Sequence, residues 1–239
     1  MENWKLALLF FSAFAGGLCI FIFKEKKSSS NQLKLILSLS GAYIFTITVI
    51  HLMPEVYLSG GSSIGLFILG GFLLQIVMEQ FSQGIEHGHI HGHQHEHNFP
   101  IGIMISLCLH AFLEGMPLAH GQHTDLVFGI ALHHIPAAFA LGSILLQSKI
   151  KKNAIVFSLT VFAFMCPLGY WISYEIGHSH IAEISTYFDS MMGIVIGIFL
   201  HISTTILFES SVDHKFNIKK LVAVGCGVAI ALIGFFLDH

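Results

Sequence analysis

Long apolar runs separated by short polar connections dominate this chain of 239 residues. Hydrophobic residues make up 54% of the sequence and charged residues only 10%. One soluble core cannot bury so much apolar surface, so the pattern is typical of an all-α, polytopic membrane protein. Helical runs of about 17–25 residues are long enough to cross the ~30 Å hydrocarbon layer. Eight such spans are predicted, at residues 5–23, 34–57, 62–82, 101–120, 126–147, 154–176, 188–209 and 218–237.

The positions of the lysines predict how these spans are oriented. All eleven basic residues are lysine, and ten of them flank the first, fifth and seventh connections. Basic connections stay on the cytoplasmic side, so both termini are predicted to lie outside the cytoplasmic membrane. The first span is expected to be a retained helix, because lysines follow it and no small-residue cleavage site does. We therefore expect one transmembrane domain covering residues 1–239.

A histidine-rich connection follows the third span, and longer connections are also expected at 28–31 and 177–187. Glycine and alternating histidine predict a flexible cytoplasmic loop at 86–98. Imidazoles at this density bind Zn²⁺, Ni²⁺ or Cu²⁺ readily and weakly, so the loop is interpreted as an accessory metal-binding segment. A merely solvated polar loop is the alternative. The candidate ligands in the loop are His87, His89, His91, His93, His95 and His97.

Two polar side chains interrupt the apolar fourth span. His110 lies about ten residues, or ~15 Å, from the predicted cytoplasmic end of the span, which places it near mid-membrane. Glu114 follows four residues later and therefore projects from the same helix face. An imidazole and a carboxylate are costly inside a bilayer unless they have a partner, and a divalent cation suits both.

The fifth span carries a second pair of histidines, His133 and His134, at a similar predicted depth. Adjacent side chains on a straight helix point about 100° apart, so both would not normally face one site. Pro136 removes a backbone hydrogen bond, and the resulting bend is predicted to turn both rings towards the pathway. Each histidine alone fits a helix–helix hydrogen bond, whereas the group together favours a metal site. A haem site would need two opposed rings and gives Glu114 no role.

These motifs resemble those of the ZIP (Zrt/Irt-like) family of divalent-metal transporters. The family's fourth-span motif is similar to His-Asn-x-x-(Asp/Glu)-Gly, and this chain has His110-Ala-Phe-Leu-Glu114-Gly115. The fifth-span motif is similar to (His/Gln)-(Glu/Asp)-x-Pro-(His/Glu), and this chain has His133-His134-Ile135-Pro136-Ala137. Three further features fit the family: His51-Leu-Met-Pro-Glu55, Met165-Cys-Pro-Leu-Gly169 and Glu209.

The resemblance implies eight spans with both termini outside, and an inverted repeat of spans 1–3 and 6–8 around spans 4–5. It also implies zinc uptake into the cytoplasm without nucleotide hydrolysis, and a possible homodimer. Zinc is then the transported substrate, and no organic cofactor is expected. The expected partners are divalent metal ions and the lipid bilayer, because the chain lacks the strongly basic face of a nucleic-acid-binding protein.

Four positions depart from the family's usual residues: Ala111, His134, Ala137 and Cys166. Family members commonly hold two adjacent metals bridged by carboxylates, and most of these changes remove an oxygen donor. A single metal site is therefore predicted here, and its softer donors favour Zn²⁺ over Mn²⁺ or Mg²⁺. The predicted ligands are His110, Glu114 and His133, with His134 or Cys166 as the fourth.

Other polar residues are candidates for entry or exit steps. His51 lies towards the outer end of the second span and His201 towards the middle of the seventh, while Glu55 suits either a pathway or a helix cap. Histidines and Asp125 in the outer connections could attract cations or be simply solvated. Two other functions stay open: an intramembrane zinc metalloenzyme with Glu114 as its base, and a metal sensor that does not transport.

Overall fold

The computed structural model describes residues 3–22, 27–85, 99–119, 124–148, 150–178, 184–209 and 218–238. All the regular elements in these ranges are helical. Eight of the described helical spans are long and apolar enough to cross a membrane. The predicted all-α class and the number of spans are confirmed.

Most spans are single helices. The first is Asn3–Leu18, extended by a 3₁₀ turn at Cys19–Phe21. The fourth is Ile101–Gly115, followed by a 3₁₀ turn at Met116–Ala119. The third, fifth, sixth, seventh and eighth spans are Ile64–Ser82, Thr124–Gln147, Lys152–His178, Ile184–Glu209 and Ile218–Asp238.

The second span is interrupted by a widened turn. Helix Lys27–Ile47 leads into a π-helical turn at Thr48–Leu52, and helix Met53–Gly60 continues from it. Pro54 is the second residue after the widened turn and cannot donate a backbone hydrogen bond, so one hydrogen bond of the helix is missing there. Turns of this kind are frequent at functional sites. This one carries His51.

Two predicted connections are wrong in extent. The polar segment 28–31 belongs to the helix Lys27–Ile47. Part of 177–187 belongs to the sixth helix, which runs to His178, and part to the seventh, which begins at Ile184. Apolar composition identifies the part of each helix that lies inside the hydrocarbon layer. It does not identify the helix ends, because a helix can continue into polar surroundings with its backbone groups still paired.

The eight spans pack as two groups of four. The first span contacts the fifth and the sixth, and the sixth also contacts the fourth and the fifth; we call these four spans the site bundle. The second, third, seventh and eighth spans form the flanking bundle, in which the third packs on the seventh and the second on the eighth. The two bundles meet mainly where the second span contacts the fifth and the third contacts the fourth.

Glycines allow the fourth and sixth spans to touch backbone to backbone. A Cβ atom added at Gly115 would lie 2.0 Å from the carbonyl oxygen of Cys166. A Cβ atom added at Gly169 would lie 2.0 Å from the carbonyl oxygen of Phe112. Small residues commonly permit such contacts between membrane helices, where packing replaces the hydrophobic effect as the driving force. This reciprocal pair of contacts holds the fourth span against the sixth at the position of Glu114.

Candidate metal site

The four polar residues of the fourth and fifth spans are buried inside the site bundle. His110 and His134 are 1% exposed, and Glu114 and His133 are 0% exposed. His110 and Glu114 lie one turn apart on the helix Ile101–Gly115, and both histidines of the fifth span lie near the middle of Thr124–Gln147. A buried carboxylate is tolerated only when charged or hydrogen-bonding groups compensate for its lost hydration.

The Glu114 carboxylate is the centre of the group. Its Oε1 lies 3.0 Å from His110 Nε2, and its Oε2 lies 2.7 Å from His134 Nε2. An ionised carboxylate only accepts hydrogen bonds, so the close contact requires His134 Nε2 to carry a proton and donate. His134 therefore orients the carboxylate in this arrangement, and its Nε2 is engaged.

Three side chains present ligand atoms to a common point. One ligand atom each from His110, Glu114 and His133 lies within 4.8 Å of the other two. Tetrahedral Zn²⁺ with bonds of about 2.0–2.2 Å would hold its ligand atoms roughly 3.3 Å apart. The His110 and Glu114 atoms already have about that spacing, at 3.0 Å. Small side-chain movements would bring the three atoms to the distances that a zinc ion requires.

Both adjacent histidines of the fifth span reach this group, although the helix continues through Pro136 to Gln147. The His133 ring lies 6.0 Å from the His110 ring, and the His134 ring lies 6.4 Å from that of His133. On its other side His134 packs against Phe162 of the sixth span, with ring centroids 5.7 Å apart. The sixth span thereby limits the rotation of the residue that orients Glu114.

The positions that depart from the family motifs line the same region with apolar or sulfur atoms. Ala111 and Ala137 are buried, at 0% and 1% exposed, and neither side chain offers an oxygen ligand. Cys166 is also buried, and its carbonyl oxygen faces Gly115. Among the described residues, the group with mutually close ligand atoms contains His110, Glu114 and His133 but not Cys166.

His51 lies in a separate acidic cluster at the start of the fifth span. Its Nδ1 is 2.6 Å from Asp125 Oδ2 and its Nε2 is 3.8 Å from Glu55 Oε2. The second Asp125 oxygen accepts a hydrogen bond from the Leu126 backbone at 2.8 Å. This cluster ties the π-helical turn of the second span to the fifth helix, which begins at Thr124.

His201 lies in the flanking bundle with a partner that the sequence analysis missed. Its Nε2 is 3.4 Å from Glu79 Oε2, and its ring is 5.0 Å from that of Phe72. Glu79 is an acid inside the apolar third span, and Gln75 is a second polar residue in that span, one turn earlier. Polar residues inside a bilayer are costly and usually functional, as argued for the fourth and fifth spans. The same reasoning identifies Glu79 and Gln75 as candidate functional residues.

Several histidines of the sequence analysis lie outside the described residues. They include the whole set of the histidine-rich segment 86–98: His87, His89, His91, His93, His95 and His97. His120, His123 and His180, in the connections predicted to be outer, also lie there. The predicted accessory metal binding by the loop stays a prediction.

The carboxyl-terminal part of the chain matches a known family. Residues 99–234, more than half of the sequence, match the family model described as ZIP Zinc transporter. The chain belongs to the ZIP zinc transporter family. The matched segment of this ZIP protein contains the fourth to seventh spans and most of the eighth, and thus Glu114 and the three histidines grouped with it.

Two relatives support this assignment. The protein is 26% identical over 144 residues to a Danio rerio protein named Zinc transporter ZIP1; the aligned region covers 56% of this chain and 46% of that protein. It is 30% identical over 121 residues to a Xenopus laevis protein named Zinc transporter ZIP9-B; the aligned region covers 46% of this chain and 39% of that protein. This ZIP protein thus matches less than half the length of either relative.

Proposed function

We propose that this protein is a multi-pass transporter that moves divalent metal cations, preferentially zinc, through the site bundle. The observation that carries the proposal is the buried group of two imidazoles and one carboxylate, whose ligand atoms lie within 4.8 Å of one another. Imidazole nitrogen and carboxylate oxygen are common zinc ligands. The family and the names of both relatives point to the same substrate.

The donor set suits a transported ion rather than a permanent structural one. His110, Glu114 and His133 supply three ligands, and a structural zinc site usually has four from protein. A fourth position can hold water, so the ion can exchange solvent for protein ligands stepwise. One carboxylate offsets part of the ionic charge, and this limits how tightly the site holds the ion.

Alternating access is assigned to movement of the site bundle against the flanking bundle. The spans of each bundle pack more extensively on one another than on the other bundle, which is the packing expected of two units that move as rigid bodies. We also place an inverted repeat here, with spans 1–3 exchanging with spans 6–8. Its support is that this exchange maps the contact of spans 1 and 5 onto that of spans 6 and 4, and the contact of spans 3 and 7 onto that of spans 8 and 2.

Uptake into the cytoplasm is the proposed direction of flux. Ten of eleven lysines flank three connections that the alternation of eight spans puts on one side, which supports a cytoplasmic location for those connections and outer termini. The histidine-rich segment 86–98 then faces the cytoplasm and would receive the ion. The cytoplasmic membrane as location and the homodimer stay predictions of the same scheme.

Hydrolysis by an intramembrane metalloenzyme is less well supported. Such an enzyme needs a carboxylate or imidazole that is available to activate a metal-bound water. The Glu114 carboxylate instead belongs to the group of ligand atoms itself, 3.0 Å from His110 Nε2, and its second oxygen lies 2.7 Å from His134 Nε2. A metal sensor without transport would keep the same site, and only a flux measurement separates it from a transporter.

Liposomes that contain the purified protein should take up zinc. We expect saturable Zn²⁺ influx that a fluorescent chelator inside the vesicles reports, with Cd²⁺ competing strongly and Mn²⁺ and Mg²⁺ weakly, because two of the three ligands are imidazoles. Protein-free vesicles give the background. His110→Ala should bring influx to within about twice that background, since the fourth span then offers one ligand only.

A negative result has a clear meaning in this assay. Folded wild-type protein that binds zinc but gives no influx above protein-free vesicles would identify a sensor and contradict transport. Influx through His110→Ala at the wild-type rate would show that the ion takes another route. A matched substitution away from the site is Gly225→Ala in the eighth span, where an added Cβ meets nothing within 4 Å.

A further inference from the structure

Gln75 is a fully buried amide in the third span. It is 0% exposed, and neither its oxygen nor its nitrogen has a hydrogen-bond partner among the described residues. Burying an amide without a partner is unfavourable, because its hydrogen bonds to water are lost and not replaced. An apolar side chain of similar size would avoid that cost. The amide is therefore expected to have a partner in another state of the transport cycle.

The register of two neighbouring spans places Gln75 level with the metal site. Ser106 Oγ of the fourth span donates to the Met78 carbonyl of the third at 2.7 Å. Moving three residues back from Met78 leads to Gln75, and moving four residues on from Ser106 leads to His110. Because the two helices are antiparallel and rise ~1.5 Å per residue, Gln75 and His110 lie within about 2 Å of the same depth.

Gln75 also lies on the face of the third span that meets other helices. It belongs to the buried stripe of that helix, together with Ile68, Gly71 and Met78. Phe72 and Glu79, three residues before and four after Gln75, both contact His201 of the seventh span. The amide thus lies on the face of the third span that packs on the seventh, three residues from the Met78 carbonyl that the fourth span contacts.

We propose that the Gln75 amide oxygen binds the divalent cation as it leaves His110, Glu114 and His133. This assignment rests on the proposed transport function and adds a ligand from the bundle that does not hold the site. A neutral carbonyl oxygen binds zinc more weakly than an imidazole or a carboxylate. A weak ligand suits a handover step, because an ion must be held well enough to enter a position and loosely enough to leave it.

If Gln75 acts in the handover step, the Gln75→Leu variant should bind zinc normally but transport it more slowly. Equilibrium zinc affinity at the site should stay within about twofold of wild type, since the three ligands are intact. Maximal zinc influx into proteoliposomes should fall about tenfold. The thermal midpoint of unfolding should stay equal or rise, because leucine removes a buried amide without a partner. Gln75→Glu, which restores an oxygen ligand, should give an influx well above that of Gln75→Leu.

The matched control is Ser173→Ala in the sixth span. Ser173 is 0% exposed, and its hydroxyl also has no hydrogen-bond partner among the described residues. Its substitution should leave influx at the wild-type level. Wild-type influx in Gln75→Leu, an equal loss in Ser173→Ala, or no recovery in Gln75→Glu would each overturn the role of Gln75. Absence of wild-type influx would instead overturn the transport function itself.

Discussion

Replacing Glu114 by glutamine should lower zinc affinity at least about 100-fold and reduce zinc influx to near the background of empty vesicles. Glutamine has nearly the same shape but no negative charge, and this charge is the only one among the three grouped ligand residues when the histidines are neutral. Groups that merely support a metal ligand typically contribute 10–100-fold to affinity, so a charged ligand should contribute more. Isothermal titration with Zn²⁺ and vesicle influx measure the two effects.

His134→Ala provides the contrast for this prediction. His134 donates to Glu114 Oε2 at 2.7 Å but does not belong to the group of mutually close ligand atoms. Its removal should cost affinity within the 10–100-fold range and leave measurable influx. A larger loss in His134→Ala than in Glu114→Gln would contradict this division of roles, and His134 would then be a direct ligand.

Alanine at Gly115 should greatly reduce the stability of the protein. The new methyl group would lie 2.0 Å from the Cys166 carbonyl oxygen, which belongs to a helix backbone and cannot rotate away. Overpacking typically costs about 1–3 kcal/mol, and contact between two backbones puts this change at the upper end or beyond. We expect a lower thermal midpoint in detergent and a lower yield of monodisperse protein. Gly169→Ala should behave similarly, because its methyl group would meet the Phe112 carbonyl oxygen at 2.0 Å.

Gly70→Ala is the matched control for these variants. Gly70 lies in the helix Ile64–Ser82, and a Cβ atom added there meets nothing within 4 Å. Alanine has a higher helix propensity than glycine, so stability should be unchanged or slightly higher. Thermal midpoints of Gly115→Ala and Gly70→Ala that agree within error would show that the fourth and sixth spans are not locked by this contact.

The architecture was predictable because a bilayer imposes one requirement on every span. Backbone groups must be paired inside hydrocarbon, so each long apolar run becomes a helix, and eight runs predict eight spans. Helix ends were predicted less well, as segment 28–31 shows, because polar residues can extend a helix into the interface. The π-helical turn at Thr48–Leu52 was not anticipated either.

The centre of the candidate site was predictable because its polar residues stand out in apolar segments of the sequence. His110, Glu114 and the two histidines of the fifth span are conspicuous in apolar segments, and the structure brings all four together. Their separate roles could not be predicted, since the contact of His134 with Glu114 depends on how two helices pack. Glu79 and Gln75 were missed although the same reasoning applied to them, because no histidine shares the third span with them and marks it as a metal-binding segment.

X-ray diffraction at the zinc absorption edge, from crystals of the protein grown with Zn²⁺, tests the single intramembrane site most directly. We expect one strong anomalous peak inside the site bundle, within bonding distance of His110, Glu114 and His133. Two adjacent peaks bridged by Glu114 would contradict a single-metal site. A fully loaded protein with no peak between these three residues would contradict the whole assignment of the transport pathway.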